Sequence, residues 1–410
     1  KTWPQKSLPL PSQLNWDEFS DIPVGVITGT NGKTTCTRIV SQILQSAGFH
    51  AGISCTDWLA VNDEIIDEGD WSGPGGARTI LRQPRVTAAI LETARGGLLR
   101  RGLGITRADA ALITNIAEDH LGDFGSHNLD ELLNIKWIVS RAVRQSGTLV
   151  LNADDPRLVE KAKEHVGNLN WFSLNPESEV IADALQQNQA CYVLSDGNLI
   201  RLTADSERHI CAEADIPITL NGAAKHNTAN SLAAAALTHA MGVDLSDIGY
   251  ALTCITQAQN PGRSNVHDMG GIKVIIDFAH NPHAMAALFK MAQALPAKRR
   301  LLAFGQAGDR PDHSIRDLSR AAWSIGLDNV FISELAAYHR GREHGEVFGI
   351  IQAELIAAGA NPDNIRHFDA ETDALHAALD WAEPGDLIIM LALGEREEVR
   401  VALAEAMKHR

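Results

Sequence analysis

A glycine-containing turn between an apolar run and a helical pattern is the clearest candidate for chemistry in this sequence. The turn follows the run Val24–Ile27 and consists of Gly29, Thr30, Asn31, Gly32, Lys33, Thr34 and Thr35. Glycines allow backbone N–H groups to approach an anion, and a helix N-terminus adds its positive end. In such a turn Lys33 reaches the outer phosphates of a nucleotide, and the Thr34 hydroxyl ligates Mg²⁺. The general phosphate-loop pattern has a glycine where this chain has Ile27, so an ordinary turn of an α/β domain is the alternative.

Two further strand ends carry groups that bind metals or transfer protons. Glu92 follows the apolar run Val86–Leu91, and Asp119 and His120 follow the next such run. Ligands of open α/β sheets gather at the carboxyl ends of strands, so we expect these groups near the turn. Glu92 is predicted to ligate Mg²⁺ or else to cap a surface helix. A carboxylate beside an imidazole suits metal binding or proton transfer, with a structural histidine as the alternative. Taken alone, Lys136 is a solvated lysine.

The second half of the chain repeats this arrangement. Asp277 and His280 follow the apolar run Lys273–Ile276, again where a ligand contact is expected. His339 and His344 have no third partner in the sequence, and a zinc site needs at least three protein ligands. We therefore expect no zinc site there.

Alternation of apolar runs with helical patterns predicts an α/β protein. We expect a phosphate-loop, doubly wound central domain with a small antiparallel β addition, followed by a second Rossmann-like α/β domain. The predicted boundaries are an extended lead-in over 1–23, a central domain over 24–262 and a C-terminal domain over 263–410.

Three local expectations follow from the patterns. A helix is predicted over Leu129–Val143. The region 54–84 is expected to be irregular, with a helix beginning within Ala77–Leu81. The antiparallel addition is expected from short alternating segments at Cys191–Leu194, Leu199–Leu202 and Ile216–Leu220.

Composition excludes several classes of protein. The 410 residues are enough for two or three domains, and the net charge of −15 argues against nucleic acid as a partner. No apolar run approaches the roughly 18 residues of a membrane span. Five scattered cysteines favour a reduced, cytoplasmic protein over a disulfide scaffold.

Six motifs occur in a fixed order along the chain: Thr28–Thr35, Glu92, Asn115 with Asp119 and His120, Asn152–Pro156, His226 with Asn227 and Asn230, and Asp277 with His280–Pro282. Together they resemble the Mur ligase family, which includes peptidoglycan-precursor ligases and folylpolyglutamate synthetase. The stretches Leu91–Gly104, Gly308–Asp312 and Arg340–Val347 resemble the C-terminal, Mur-ligase-like half of cyanophycin synthetase.

The resemblance implies an ATP-dependent carboxylate–amine ligase that works through an acyl phosphate, with ATP and Mg²⁺ as cofactors. The implied partners are a small-molecule or peptide carboxylate acceptor and an amino-acid amine donor. Arginine or a related amino acid would be added to an aspartate side chain, as in cyanophycin synthesis. A homo-oligomer is left open.

Three alternatives remain at this point. The chain lacks an ATP-grasp half, so either an upstream half was removed or this is a free-standing ligase that joins other substrates. A phosphate-loop switch or motor and a non-catalytic Mur-like binding subunit are the rival classes.

The resemblance also implies roles for individual residues. Nucleotide and metal would be held by Gly29 to Thr35, Glu92 and His120, with Lys136 carbamylated to act as a further metal-site ligand. Asn227 and Asn230 would contact adenine, Arg263 and Asp277 the nucleotide phosphate and ribose, and His280 the same ligand from the second domain. Asp119 is the candidate base, and an arginine guanidinium would pair with Glu334, Glu343 or Glu395.

Overall fold

The computed structural model describes residues 22–119 and 127–409. Most of the predicted lead-in 1–23 and the candidate ligand His120 therefore lie outside the described residues. Within the described part, the chain forms an eleven-stranded sheet followed by a six-stranded sheet.

The first sheet is mostly parallel. Its strands are β1 (Val24–Thr28), β2 (Ala51–Ser54), β3 (Trp58–Val61), β4 (Glu64–Glu68), β5 (Ala88–Glu92), β6 (Ala108–Ile113), β7 (Val143–Asn152), β8 (Asn168–Ser173), β9 (Ala190–Ser195), β10 (Asn198–Thr203) and β11 (Ser206–Ala212). Their order is β11-β10-β9-β8-β7-β6-β1-β5-β2-β3-β4. Antiparallel hairpins extend a parallel centre at both edges.

Helices cover both faces of this sheet. They are α1 (Lys33–Ser46), α2 (Pro74–Leu81), α3 (Arg95–Arg101), α4 (Leu129–Trp137), α5 (Pro156–Ala162), α6 (Glu179–Gln186), α7 (Lys225–Ala240) and α8 (Leu245–Cys254). All five residues of β1 are buried, as expected for a parallel strand covered on both faces. β1 pairs with β5 on one side and with β6 on the other, so the connections after these strands leave the sheet edge around one crevice.

The second sheet has the order β12-β13-β17-β14-β15-β16. Its strands are β12 (Asn265–Met269), β13 (Ile272–Asp277), β14 (Arg300–Phe304), β15 (Asn329–Ser333), β16 (Ile365–Phe368) and β17 (Leu387–Leu391). Its helices are α9 (Pro282–Ala294), α10 (Asp312–Trp323), α11 (Glu346–Ala357), α12 (Glu371–Trp381) and α13 (Arg396–His409). Only β12 is antiparallel to its neighbour, so this sheet is also of the Rossmann-like kind.

The predicted α/β fold class is confirmed, but three local expectations are wrong. The region 54–84 contains the β3–β4 hairpin rather than irregular chain, while the helix expected at Ala77–Leu81 is present within α2. The segment Ile216–Leu220 is not a strand, because Pro217 begins a 3-10 turn; β11 supplies the third antiparallel strand instead. The helix predicted over Leu129–Val143 ends at Trp137 and continues as a 3-10 turn to Ala142.

Candidate active site

The turn between β1 and α1 needs glycine at two positions. Gly29 has a φ of 146°, and a Cβ there would lie 1.8 Å from Thr114 Oγ1. Gly32 has a φ of 84° and precedes α1, where a Cβ would lie 2.4 Å from Asn230 Oδ1. Among the described residues no side chain caps the start of α1, so its first-turn N–H groups are available as donors to an anion.

The residues after β6 hold the turn in shape. Asn31 N donates to Asn115 Oδ1 over 2.9 Å, and Asn115 Nδ2 donates back to Asn31 O over 3.1 Å. Thr30 Oγ1 donates to Ala117 O, and the Thr114 hydroxyl donates to Asn31 O over 2.6 Å. Side chains that follow β6 thus fix the backbone of the turn that follows β1. We call residues 29–35 the phosphate turn, after the role predicted for them, which a fixed backbone would favour.

A cluster of oxygens lies beside the start of α1. The Glu92 carboxylate is 1 % exposed and accepts from the Thr34 hydroxyl over 3.2 Å. Thr56 also donates to it, from its backbone N–H over 3.1 Å and its hydroxyl over 2.7 Å. A buried carboxylate beside a hydroxyl is the kind of hard oxygen set that Mg²⁺ prefers, so these residues fit the implied metal. The adjacent Lys33 Nζ donates to Thr30 O over 2.7 Å.

Lys136 is buried rather than solvated. It lies in α4, is 3 % exposed, and its Nζ donates to Gly29 O over 2.6 Å. Burial holds the pKa of Lys136 well below its usual range, and the nearby Lys33 charge lowers it further, against the opposing effect of Asp119. The structure therefore places a buried lysine with a lowered pKa against the backbone of the phosphate turn.

The candidate adenine contacts lie on α7. Asn227 Nδ2 donates to Ile218 O over 2.9 Å, and Asn230 Nδ2 lies 3.3 Å from Asn227 Oδ1. Both asparagines line a cavity of about 760 Å³ that also contacts the phosphate turn and the second sheet. Such a volume is in the range of cofactor pockets.

The second sheet contributes the opposite wall of this cavity. Asp277 accepts from Ser264 N over 2.6 Å and from Ser264 Oγ over 2.9 Å, and His226 Nε2 lies 2.9 Å from the same hydroxyl. Burial lowers the pKa of His226, although Asp277 acts to raise it. A chain of polar contacts therefore runs from α7 to the end of β13.

Arg263 also lines the cavity. It contacts Asp57, a residue that the sequence patterns did not single out. Its Nη2 lies 3.5 Å from Asp57 Oδ2, and its guanidinium lies 5.3 Å from the Phe278 ring centroid. Asp57 also pairs with the buried Arg38. The Arg263 Nε is buried without a partner among the described residues, so the group has spare donor capacity for an anion.

An amide pair joins the two sides of the cavity, and sequence reasoning missed it. Asn281 Nδ2 donates to Asn31 Oδ1 over 2.9 Å, and Asn31 Nδ2 donates to Asn281 Oδ1 over 3.2 Å. Asn281 also caps α9 by accepting from Ala284 N. Nearby, His280 Nε2 lies 3.5 Å from Asp119 Oδ1. The Asn–Pro pair that starts α9 is a helix-start signal, but nothing in it indicates a contact 250 residues away.

The expectation about His339 and His344 rested on a wrong premise. The structure brings Glu334 and His367 to these histidines, so partners exist that the sequence spacing did not reveal. Of the three acids considered for a guanidinium, Glu334 contacts His339 and His367, and Glu395 accepts from Thr372. Glu343 is exposed.

Two family models match the chain. The Mur ligase middle domain matches residues 27–238, and the Mur ligase, glutamate ligase domain matches residues 262–394. The chain belongs to the Mur ligase family. The resemblance drawn from the six motifs is thereby confirmed.

Mur ligase relatives and structures agree with this assignment. A cyanophycin synthetase of Geminocystis herdmanii is 34% identical over 373 residues, which is 90% of this chain and 42% of the relative. The chain thus spans less than half the length of that relative. Escherichia coli FolC in complex with DHPP and ADP aligns with a TM-score of 0.68 at 20% identity, over 94% of this chain and 89% of FolC.

A second solved structure is a bifunctional folylpolyglutamate synthase/dihydrofolate synthase with Mn, AMPPNP and L-glutamate bound. It aligns with a TM-score of 0.66 at 21% identity, over 95% of this chain and 90% of the other. Both structural matches show the shared fold. Among the described helices, none is both long and apolar enough to cross a membrane.

Proposed function

We propose that this Mur ligase family member is an ATP-dependent carboxylate–amine ligase that forms an amide or isopeptide bond through an acyl phosphate. The observation that carries the proposal is the cavity between the two sheets, with the phosphate turn on one wall and Asp277 on the other. A ligase needs both a phosphoryl donor site and room for two further substrates. We assign nucleotide binding to residues 24–262 and closure over the nucleotide to residues 263–410.

Two relatives support ATP and a divalent metal. One structure of the same fold contains ADP, and another contains AMPPNP and Mn. In this chain Thr34 and Glu92 would hold the metal, with Lys136 as a carbamate and His120 completing the set. Bound Mg²⁺ would neutralise charge on the transferring phosphoryl group.

The chain's own residues account for the charge in each step. The substrate carboxylate attacks the γ-phosphorus of ATP, ADP leaves, and an acyl phosphate results. Lys33 and the uncapped start of α1 would stabilise negative charge on the phosphoryl oxygens. The amine then attacks the acyl carbon, phosphate leaves, and the amine proton passes to a base, for which Asp119 is the candidate.

Carbamylation of Lys136 is part of this proposal. A neutral amine adds CO₂ and releases a proton, which gives a carbamate with one negative charge. The lowered pKa supports the reaction, because it increases the fraction of neutral amine. The carbamate would place a negative charge beside Lys33, which suits it to ligate a metal.

We further propose arginine, or a related amino acid, as the amine and an aspartate side chain as the carboxylate. The 34% identity to a cyanophycin synthetase and the stretch Leu91–Gly104 support this choice. An ATP-grasp half would be needed elsewhere to build the aspartate backbone of such a polymer.

The test is coupled phosphate release by the purified protein with MgATP. Arginine, lysine and other amines are offered with aspartate-containing peptides, and products are identified by mass spectrometry. Release that requires both substrates, with a new amide in the product, is expected. Release that is independent of both substrates would contradict a ligase. Activity with other pairs only would retain the ligase and reject the arginine assignment.

A further inference from the structure

One carboxylate and three imidazole side chains meet at the carboxyl edge of the second sheet. They are far from the phosphate turn in the sequence. Glu334 directly follows β15 and is 7 % exposed. His367 Nε2 lies 2.7 Å from Glu334 Oε1, and His339 Nε2 lies 3.0 Å from Glu334 Oε2. A backbone N–H, that of Gly345, also donates to Oε1 over 3.0 Å. The carboxylate is thus held in one orientation between two ring nitrogens.

His344 supplies the third imidazole. One potential ligand atom from each of Glu334, His344 and His367 can be chosen so that all three lie within 4.8 Å of one another. The Nε2 atom of His344 contacts Asp369 Oδ1 over 2.9 Å, and a metal bound through Nδ1 would leave that contact in place. A carboxylate on the far nitrogen of a ligating histidine is the usual arrangement that fixes the ring and its tautomer.

These distances are close to those of a transition-metal site. Ligand bonds of about 2.0–2.1 Å in tetrahedral geometry place neighbouring ligand atoms roughly 3.3 Å apart. The two contacts from Glu334 are slightly shorter than that, and the ligand atoms of Glu334, His344 and His367 lie at most 4.8 Å apart. Imidazole with carboxylate suits zinc and its neighbours, whereas Mg²⁺ and Ca²⁺ prefer sets made of oxygen alone.

We propose that Glu334, His344 and His367 bind one divalent transition-metal ion of the zinc class. His339 lies outside this three-residue set and would orient the Glu334 carboxylate through its contact with Oε2. The site is distinct in residues and in donor chemistry from the proposed magnesium site at Thr34 and Glu92. It does not depend on the proposed ligase function.

The surroundings are built to hold these rings. The Phe348 ring stacks on His367 with centroids 4.1 Å apart and an interplanar angle of 9°. His344 and His367 have ring centroids 5.4 Å apart. A metal here would join the loop from Glu334 to Gly345 to the end of β16, two segments that otherwise meet through hydrogen bonds and ring contacts.

The loop in question also touches the end of β14. Gly308 N donates to Tyr338 O over 2.9 Å, and Arg342 Nε donates to Gly308 O over 2.8 Å. The metal would therefore order three neighbouring strand ends of the second sheet through one loop.

The test uses the full, untagged chain after treatment with a chelator. Co²⁺ is titrated while visible absorption is recorded, and Zn²⁺ is then added as a competitor. One equivalent of Co²⁺ should give tetrahedral ligand-field bands, and Zn²⁺ should abolish them, while Mg²⁺ in large excess should not. Absence of a saturable site for either ion would overturn the proposal.

Matched variants decide which residues bind. His344→Ala and His367→Ala should each weaken Co²⁺ binding by more than about tenfold, since even outer-shell changes reach that range. His344 is 60% exposed, so its loss should not prevent folding. His376→Ala, on the exposed face of α12, is the matched control and should bind as the parent does. Unchanged affinity in His344→Ala, His367→Ala and Glu334→Gln together would reject the assigned ligands.

Discussion

Two polar clusters in this molecule lie at carboxyl edges of parallel sheets, yet they are built in different ways. At the first edge, Lys136 and Glu92 are almost fully buried and belong to a helix and a strand. At the second edge, Glu334 is buried and His367 belongs to β16. His339 and His344, however, lie on a loop and are partly or largely exposed. Groups on helices and strands cannot shift without disturbing the core, whereas groups on loops can.

The difference suggests a division of labour. Under the proposed function, the first edge would present fixed charges to a ligand that is the same in every cycle, the nucleotide. The second edge carries a loop that can change in sequence and position without affecting the sheet. We therefore expect chemistry to depend on the first edge, and the choice of substrate to depend on the second.

The largest loss of activity is expected from a substitution at the first edge. Lys33→Ala should lower kcat/KM for coupled phosphate release by about 10²–10³-fold, because it removes a preorganised charge from the transferring group. Lys163→Ala, which changes a lysine that is 69% exposed, is the control and should retain activity. Near-normal turnover in Lys33→Ala would move the chemistry away from this edge.

Lys136 tests whether a buried lysine at the first edge acts as an anion. Lys136→Ala should reduce turnover by about 10–100-fold, the range found for groups that tune a metal site. Added bicarbonate should stimulate the parent protein after removal of CO₂, and it should have no effect on the variant. Full activity of Lys136→Ala would refute the carbamate, as would indifference of the parent to bicarbonate.

A smaller loss of activity is expected when the amide pair between Asn31 and Asn281 is removed. Asn281→Ser should lower kcat severalfold, because a hydrogen-bonded pair contributes about 1 kcal/mol and serine is too short to reach Asn31. Serine still caps α9, so the loss of stability should be limited to that of the amide pair. Asn281→Ala should lower kcat and stability, with a further stability loss of about 1 kcal/mol from the missing cap. Equal activity of Asn281→Ser and the parent would show that the amide pair does not couple the edges.

The smallest effect is expected on the free energy of unfolding at acidic pH. Burial lowers the pKa of His226 below its ordinary value of 6.5, so the unfolded chain binds a proton that the folded protein does not. Stability should therefore fall as pH drops from 6.5 towards the folded pKa. Urea unfolding of His226→Gln should show a shallower acid loss, while His313→Gln, at an exposed position, should follow the parent. Identical pH slopes for parent and His226→Gln would contradict the assignment.

More of the first edge than of the second could be predicted from the sequence. The turn Gly29–Thr35 is contiguous, and its conformation depends on glycines that are visible in the sequence. The strands around it are continuous apolar runs, which predict buried parallel strands. The fold class followed from the same patterns.

The elements that were missed lack such signals. Every residue of β4 (Glu64–Glu68) is exposed, so its sequence carries no buried face. β16 (Ile365–Phe368) is short and contains an arginine and a histidine. His367 reaches Glu334 across 33 residues, and that distance is set by the pairing of β15 with β16 rather than by spacing in the sequence. The burial of Lys136 is likewise a tertiary property, since one lysine in a helix looks solvated.

The amide pair between Asn31 and Asn281 implies thermodynamic linkage between the two halves of the chain. Asn31 belongs to the turn proposed to hold phosphate, and Asn281 begins a helix of the second sheet. Suppose that nucleotide binding favours the arrangement in which Asn31 and Asn281 are hydrogen-bonded. A ligand of the second sheet that favours the same arrangement must then tighten nucleotide binding, and the nucleotide must tighten the binding of that ligand by the same factor. Calorimetry of nucleotide binding with and without the amine substrate would then report affinities that rise together, in either order of addition.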